Sequence, residues 1–244
     1  MNLILIEKKE LTREQTVVLT DRRGEHILNI LRCSENDEVR IGLVNGPTGS
    51  GRILDISPGR VVLKVDCTGP VPLPPPVDLI LALPRPIMLK RILTQAASIG
   101  VARIFLIKAN RVEKSFFLST LLKERNFKSH LLHGLEQAMD TLVPQVSVHE
   151  RFRPFVEDLL PGIVKQYPIR LAAHPDTGRN LLEAVNPPIE KKVILAVGPE
   201  GGWIDFEIEK FKEQGLIPFS MGPRILRVET AVTAILAQID LLRL

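Results

Sequence analysis

From Val77 onward the chain switches period repeatedly, and that switching restricts the folds open to it. Aliphatic runs too short for helices ("VDLILALP", "ARIFLIKA", "PIRLAAHP", "KKVILAVG", "LIPFSMG") are separated by segments with apolar residues at helical spacing. Those segments include "IMLKRILTQAASIG", residues 115–139, "FVEDLLPGI", "NLLEAV" and "WIDFEIEKFKEQG", while "QVSVHE" reads as extended. Strand and helix in turn predict a mostly parallel sheet covered by helices. The last helical segment, "VETAVTAILAQIDLL", puts Val228, Val232, Ile235, Leu236, Ile239 and Leu242 on one face.

The residues before this region read differently. "VRIGLVNG", "GRILDIS" and "RVVLKVDC" are short strands between turn residues, with one helical candidate, "GEHILNILR". Between the two regimes lies "TGPVPLPPPVD", whose prolines suit a stiff extended connection and cannot join a central strand. The expected division is a small all-β domain over 1–70, a proline-rich linker over 71–76 and an α/β domain over 77–244.

Hydrophobic residues are 45% and charged residues 25% of the 244, the balance of a soluble globular protein. No apolar run reaches the roughly 18 residues of a membrane helix, and the start, "MNLILIEKKE", lacks the basic region of a signal peptide. Cys33 and Cys67 form no CxxC pair, which suits a reduced, cytoplasmic setting. His130 and His133 have i, i+3 spacing, but no thiolate or carboxylate pattern completes a metal site, so none is expected. The net charge of +4 is unevenly spread: residues 1–70 balance ten Lys/Arg with ten Asp/Glu, whereas 85–128 set ten Lys/Arg against Glu113 and Glu124. Such a segment suits either a phosphate backbone or a solvated face neutralised elsewhere in the fold.

In an open α/β sheet, ligands bind beyond the carboxyl ends of the strands. Three of those ends are unusual here: "LAAHPDTG", "VGPEGGW" and "MGPRILRVETA". The absence of GxGxxG and GxxxxGK[ST] removes the main support for the common dinucleotide and nucleoside-triphosphate readings. Gly198, Gly201, Gly202 and Gly222 let backbone groups reach a ligand, and Pro199 and Pro223 stiffen their loops. Arg224, Arg227 and Glu229 crowd one strand-to-helix junction, where charged side chains pair with each other or bind something.

"VGPEGGW" followed by "MGPRILRVETA" resembles the SPOUT superfamily of RNA methyltransferases, and more narrowly its RsmE family. "EHILNILRCSENDEV", "LALPRPIMLKRILTQAASIGVARI" and "EQAMDTLVP" extend the resemblance over nearly the whole chain. The resemblance implies a PUA-like β-barrel followed by an α/β domain with a C-terminal trefoil knot, a feature general topology rules disfavour. It also implies a homodimer with its active site near the subunit interface. The implied activity is methylation of N3 of a uridine in small-subunit ribosomal RNA from S-adenosylmethionine. Loops 171–176, 197–203 and 221–231 are then the cofactor site. Their candidate residues are Leu171, Ala172 and His174; Val197, Gly198, Pro199, Glu200, Gly201 and Gly202; and Met221, Gly222, Ile225, Leu226, Thr230 and Ala231.

Arg227 is the first candidate to stabilise negative charge on the uridine, Arg224 the second, and Glu229 orients an arginine or accepts the proton. The RNA candidates are Arg22, Arg23, His26 and Arg32 in the first domain and Arg85, Lys90, Arg91, Arg111 and Lys114 in the basic segment. Three departures from the family pattern, Ser98 in place of Glu, Asp140 in place of Arg and "NLILI" in place of "RxF", fall outside the cofactor loops. Two other readings share these residues: a ribose 2′-O-methyltransferase of tRNA or rRNA, and an RNA-binding assembly factor without chemistry.

Overall fold

A computed structural model of the protein describes residues 2–175 and 177–243. They form two compact units. The first gathers the chain up to Pro74 together with Leu132–Val143; the second gathers Pro75–Leu131 and the chain from Pro144 onward.

In the first unit, β1 (Ile4–Ile6), β2 (Thr16–Leu19), β3 (Glu38–Leu43), β4 (Thr48–Ser57) and β5 (Arg60–Asp66) form a sheet of order β1-β3-β4-β5-β2. Strict alternation in β5 buries Val61, Leu63 and Val65, while a bulge between Ile53 and Asp55 breaks the alternation of β4. The two edge strands, β1 and β2, send Ile4, Ile6, Val17 and Leu19 into one core with Ile41 and Leu63, so the sheet curls round it. The predicted "GEHILNILR" helix is there as α1 (Arg22–His26), continued by a π-helical Ile27–Leu31.

The inclusion of Leu132–Val143 in this unit has a polar cause. Glu136 is buried, takes both terminal nitrogens of Arg22 at 2.9 and 2.7 Å, and its carbonyl accepts from the N–H groups of Asn2 and Leu3. Thr141 Oγ1 donates to the Gly46 carbonyl at 2.6 Å. Asp140 Oδ1 accepts from the N–H groups of Thr141 and Leu142, so this departure from the family pattern forms a local turn.

The second unit holds β6 (Val77–Ala82), β7 (Arg103–Ile107), β8 (Gln145–His149), β9 (Ile169–Ala173), β10 (Val193–Val197) and β11 (Ile217–Phe219). Their order is β11-β9-β10-β6-β7-β8 and every pairing is parallel. The central β6 and β10 are buried at every position, which is why they read as apolar runs, broken only by Asp78 in β6. The helices are α2 (Pro86–Ile99), α3 (Glu124–Ala138, of which only the part up to Leu131 belongs to this unit), α4 (Leu160–Ile163), α5 (Leu181–Ala184), α6 (Asp205–Glu213) and α7 (Val228–Leu241). Proline opens α2 and Gly100, at φ +103°, ends it. The predicted face of α7 is buried from Val228 to Ile239, and Thr233 Oγ1 meets Gln95 of α2 at 3.1 Å. One expectation changes: the helical stretch 115–139 is two 3₁₀ turns followed by α3, because Ser119 turns its hydroxyl onto the Leu121 N–H and ends the first turn.

Candidate active site

Parallel pairing decides where the site lies. Val197, Ala173 and Phe219 are level in register, so β10, β9 and β11 release their chains side by side at one sheet edge. The loop after β9 is tied to its neighbour by the His174 N–H on the Phe219 carbonyl at 2.9 Å, and by the Ser220 N–H on the Arg179 carbonyl at 2.8 Å. The loop after β10 closes on itself through Gly202 N–H to Pro199 O at 2.8 Å, with Gly202 at φ +74°. The loop after β11 turns at Gly222, φ +104°, where Ser220 Oγ bonds the Gly222 backbone.

These loops enclose a cavity of about 180 Å³. The β9 loop lines it with Ala173, His174 and Pro175, and the β10 loop with Val197 to Trp203. The β11 loop contributes Phe219 to Gly222, Arg224, Ile225 and Leu226, and α7 adds Val228, Ala231 and Ile235. Two buried nitrogens at this cavity, His174 Nδ1 and Trp203 Nε1, have no partner among the described residues, and Trp203 is only 3% exposed. Buried polar atoms are normally hydrogen-bonded, so orphans beside a cavity point to a ligand with polar atoms of its own. Apolar walls, backbone loops and a few polar groups suit a small heteroaromatic ligand.

Most of the cofactor residues read from the sequence meet here, with corrections. Leu171 and Ala172 are fully buried inside β9, because the strand runs on to Ala173, where the cavity begins. Thr230 lies outside the lining and is exposed. Gly201 lines the cavity with its backbone, but a side chain there would meet Arg111 first: a Cβ would lie 2.9 Å from Arg111 Cδ, and the Arg111 guanidinium donates to the Gly201 carbonyl. Gly198 likewise makes room for the Trp203 indole, 3.2 Å from a Cβ at that position. Trp203, Phe219 and Ser220 line the cavity without having been singled out, although "GPEGGW" ends on the chain's one tryptophan.

Of the three candidate catalytic residues, Arg224 lines the cavity. Arg227 is exposed at the N-cap of α7 and Glu229 is half-buried in its first turn. Of the two readings of this junction, the Arg–Glu pairing is not formed: among the described residues, none of the three makes an ion pair.

An RNA methyltransferase domain family matches residues 71–240, and an RNA methyltransferase PUA domain family matches residues 19–66. The ribosomal RNA small subunit methyltransferase E of Treponema pallidum is 30% identical over 243 residues, covering 96% of this chain and 88% of its own. The chain belongs to the RsmE family of RNA methyltransferases. The RsmE-family protein named ribosomal RNA small subunit methyltransferase E 1 in Borreliella burgdorferi is 26% identical, with 96% and 95% of the two chains covered. A crystal structure of the Neisseria gonorrhoeae RsmE-family enzyme bound to S-adenosyl methionine shares the fold at a TM-score of 0.77. It is 23% identical, and 99% of this chain and 98% of that one are covered.

The RsmE-family assignment gives the cationic residues a purpose, and the structure sorts them. Arg23 is committed internally: its side chain is 13% exposed, bonds Glu10 and Asp21, and donates to the Leu5 carbonyl of β1. Arg22 is bound to Glu136 through both terminal nitrogens. These two leave the RNA set as free cations; Arg32 remains exposed, at φ 55°, and His26 is half-buried. In the second unit Arg85, Lys90, Arg91 and Lys114 are exposed. Arg111 is exposed too but held by Gly201. Among the described residues no three His, Cys, Asp or Glu side chains gather as a metal site, and no helix is long and apolar enough to cross a membrane.

Proposed function

We propose that this RsmE-family chain transfers a methyl group from S-adenosylmethionine to N3 of a uridine in small-subunit ribosomal RNA. It does so as a homodimer, on the assembled subunit and in the cytoplasm, with a trefoil-knotted second domain. The observation that carries the reading is the convergence of the loops after β9, β10 and β11 on one cavity with Arg224 in its wall and Arg227 at the start of the next helix. The family's activity and the solved relative with bound S-adenosyl methionine support it. The residues present fit the cofactor: Ile225, Leu226 and Val228 would wall its aromatic ring, and the buried Trp203 N–H would find an acceptor on it.

When bound, S-adenosylmethionine supplies an electrophilic methyl carbon. The chain's residues do the rest. The loops hold the donor so that attack is in line, and positioning of this kind is worth roughly 7–11 kcal/mol. The target base leaves its stack to reach the cavity mouth. Uridine N3 carries a proton at neutral pH, and as that proton passes to water at the cavity mouth, charge spreads onto O2 and O4. Arg227, without a carboxylate partner among the described residues, is free to meet those oxygens. Glu229, one turn into the same helix end, orients that guanidinium once RNA is bound.

The test is the methylation state of ribosomal RNA from a strain lacking the gene, before and after treatment with the purified protein. Restoration of a reverse-transcription stop at a uridine is expected, because an N3 methyl blocks the pairing edge. A restored alkali-resistant linkage without a stop would instead assign ribose 2′-O transfer, and no restored mark would leave an assembly factor.

A further inference from the structure

A second recess opens on the same sheet edge as the cavity, and none of its lining residues lines the cavity. It is a groove of about 540 Å³ between Lys108–Asn110 after β7, Glu150–Pro154 after β8, and the start of α6. Its floor is fixed by Glu207, 2% exposed, whose carboxylate accepts from the N–H groups of Asn110 at 2.7 Å and Ile204 at 3.1 Å. That carboxylate is therefore satisfied by backbone donors, and Glu150 at the rim is the only other acid in the lining. Against them stand Lys108, Arg151 and Arg153, none of which forms an ion pair among the described residues.

The groove also has an aromatic wall. The Arg153 guanidinium lies over the Phe206 ring at 4.8 Å, and Phe206 is 37% exposed. Phe152 stands 6.3 Å from Phe206 and 6.5 Å from Trp203, which lines the cavity itself. One aromatic cluster thus separates groove from cavity. Unpaired cations track phosphates, and exposed rings or guanidinium planes stack bases that a duplex would keep hidden.

We propose that this groove binds single-stranded RNA adjoining the target nucleotide, with phosphates on Lys108, Arg151 and Arg153 and a base stacked on the Arg153–Phe206 pair. The proposal rests on reading the chain as an RNA methyltransferase. It explains why two arginines outside the basic segment 85–128 stand exposed in this groove, without an ion pair among the described residues.

The test uses fluorescence anisotropy of a labelled single-stranded RNA of about ten nucleotides, within the usual footprint of such sites. Arg151→Ala with Arg153→Ala should weaken binding and lower the log–log salt slope by about 1.4, or roughly 0.7 for each phosphate released. Lys191→Ala with Lys192→Ala removes the same charge just before β10, at the opposite sheet edge, and should leave that slope unchanged. All four side chains are exposed, so both double variants should melt as wild type does. Phe206→Ala should weaken binding without changing the slope, and Phe206→Tyr should restore it. Equal slope losses from the two double variants would overturn the groove, as would equally strong competition by polyglutamate. Methylation of small subunits, run in parallel, separates the two readings. A groove variant with wild-type KM sinks the groove and spares the activity. A wild type that binds RNA through the groove yet transfers no methyl does the reverse.

Discussion

Arg227 sits at a helix N-cap with no carboxylate to hold it among the described residues, an arrangement that costs little in the free protein because the side chain is solvated. In the proposed reaction its value appears only when a base carrying new negative charge arrives. Arg227→Lys keeps the charge but loses the planar fork. Single-turnover methylation should therefore slow about 10²-fold, equivalent to about 2.7 kcal/mol, with RNA affinity little changed. A wild-type rate would remove Arg227 from the chemistry and pass the role to Arg224, which lines the cavity. Gly201 makes a second case. A side chain there meets Arg111 Cδ at 2.9 Å and not the ligand, so Gly201→Val should weaken cofactor binding by displacing the loop. Arg111→Ala should weaken it less, and combining Arg111→Ala with Gly201→Val should recover part of the loss of Gly201→Val alone; calorimetry with S-adenosylmethionine measures all three. The glycines and prolines of these loops were legible in the sequence because tight turns restrict residue type. Their partners were not: Arg111 and Gly201 are ninety residues apart, and Arg22, which read as a surface cation, is held by a carboxylate 114 residues away.

At the scale of elements, the sheet has a chemical end and a structural end. Opposite the cavity, at the first residues of β6 and β7, Asp78 is buried and accepts from the Arg103 backbone N–H at 3.0 Å, from the Arg103 guanidinium and from the Tyr167 hydroxyl. This cluster ties the starts of two strands to Tyr167, two residues before β9. Removing the cation alone leaves a buried carboxylate uncompensated, so Arg103→Leu should destabilise the protein by about 3 kcal/mol in urea titrations. Burial, and then the hydrogen bond to Asp78, push the Tyr167 phenol up to about 12 from its usual 10.0. The folded state therefore holds a proton that the unfolded chain releases first. The stability this contributes is complete below about pH 10 and is lost as pH rises towards about 12. Tyr167→Phe should flatten stability across that window, and an equal alkaline loss in the variant would exclude Tyr167 as its source. The strands and helices of this unit were legible from period alone, since each buries either one stripe or both faces. The Asp78 cluster was not, because an acid near the end of an apolar run looks like an ordinary flank.

For the whole molecule, linear reading could place a break at the prolines but could not see that Leu132–Val143 belongs with the first unit. That membership depends on Glu136 and Thr141 bonding groups near the N-terminus and at Gly46, and contacts at such separation leave no local signature. The remaining question at this scale is how many chains make the working enzyme. Ile225, in the cavity wall, is 85% exposed, and Leu241, at the end of α7, is 64% exposed. Scattered apolar residues on a surface need no explanation, but an apolar wall residue of a cofactor cavity left open to water does. A second copy of the chain covering Ile225 would complete that wall and exclude solvent from the methyl group. Light scattering at low micromolar concentration should then give about twice the chain mass of 27.2 kDa. Ile225→Glu should halve the mass and weaken cofactor binding together, because a charge buried between subunits is costly. Leu241→Glu should do the same only if α7 lies in the same interface, so its effect maps the contact's extent. A wild-type mass of 27.2 kDa at that concentration would mean that each chain closes its own cavity, and Ile225 would then have to move onto the ligand when it binds.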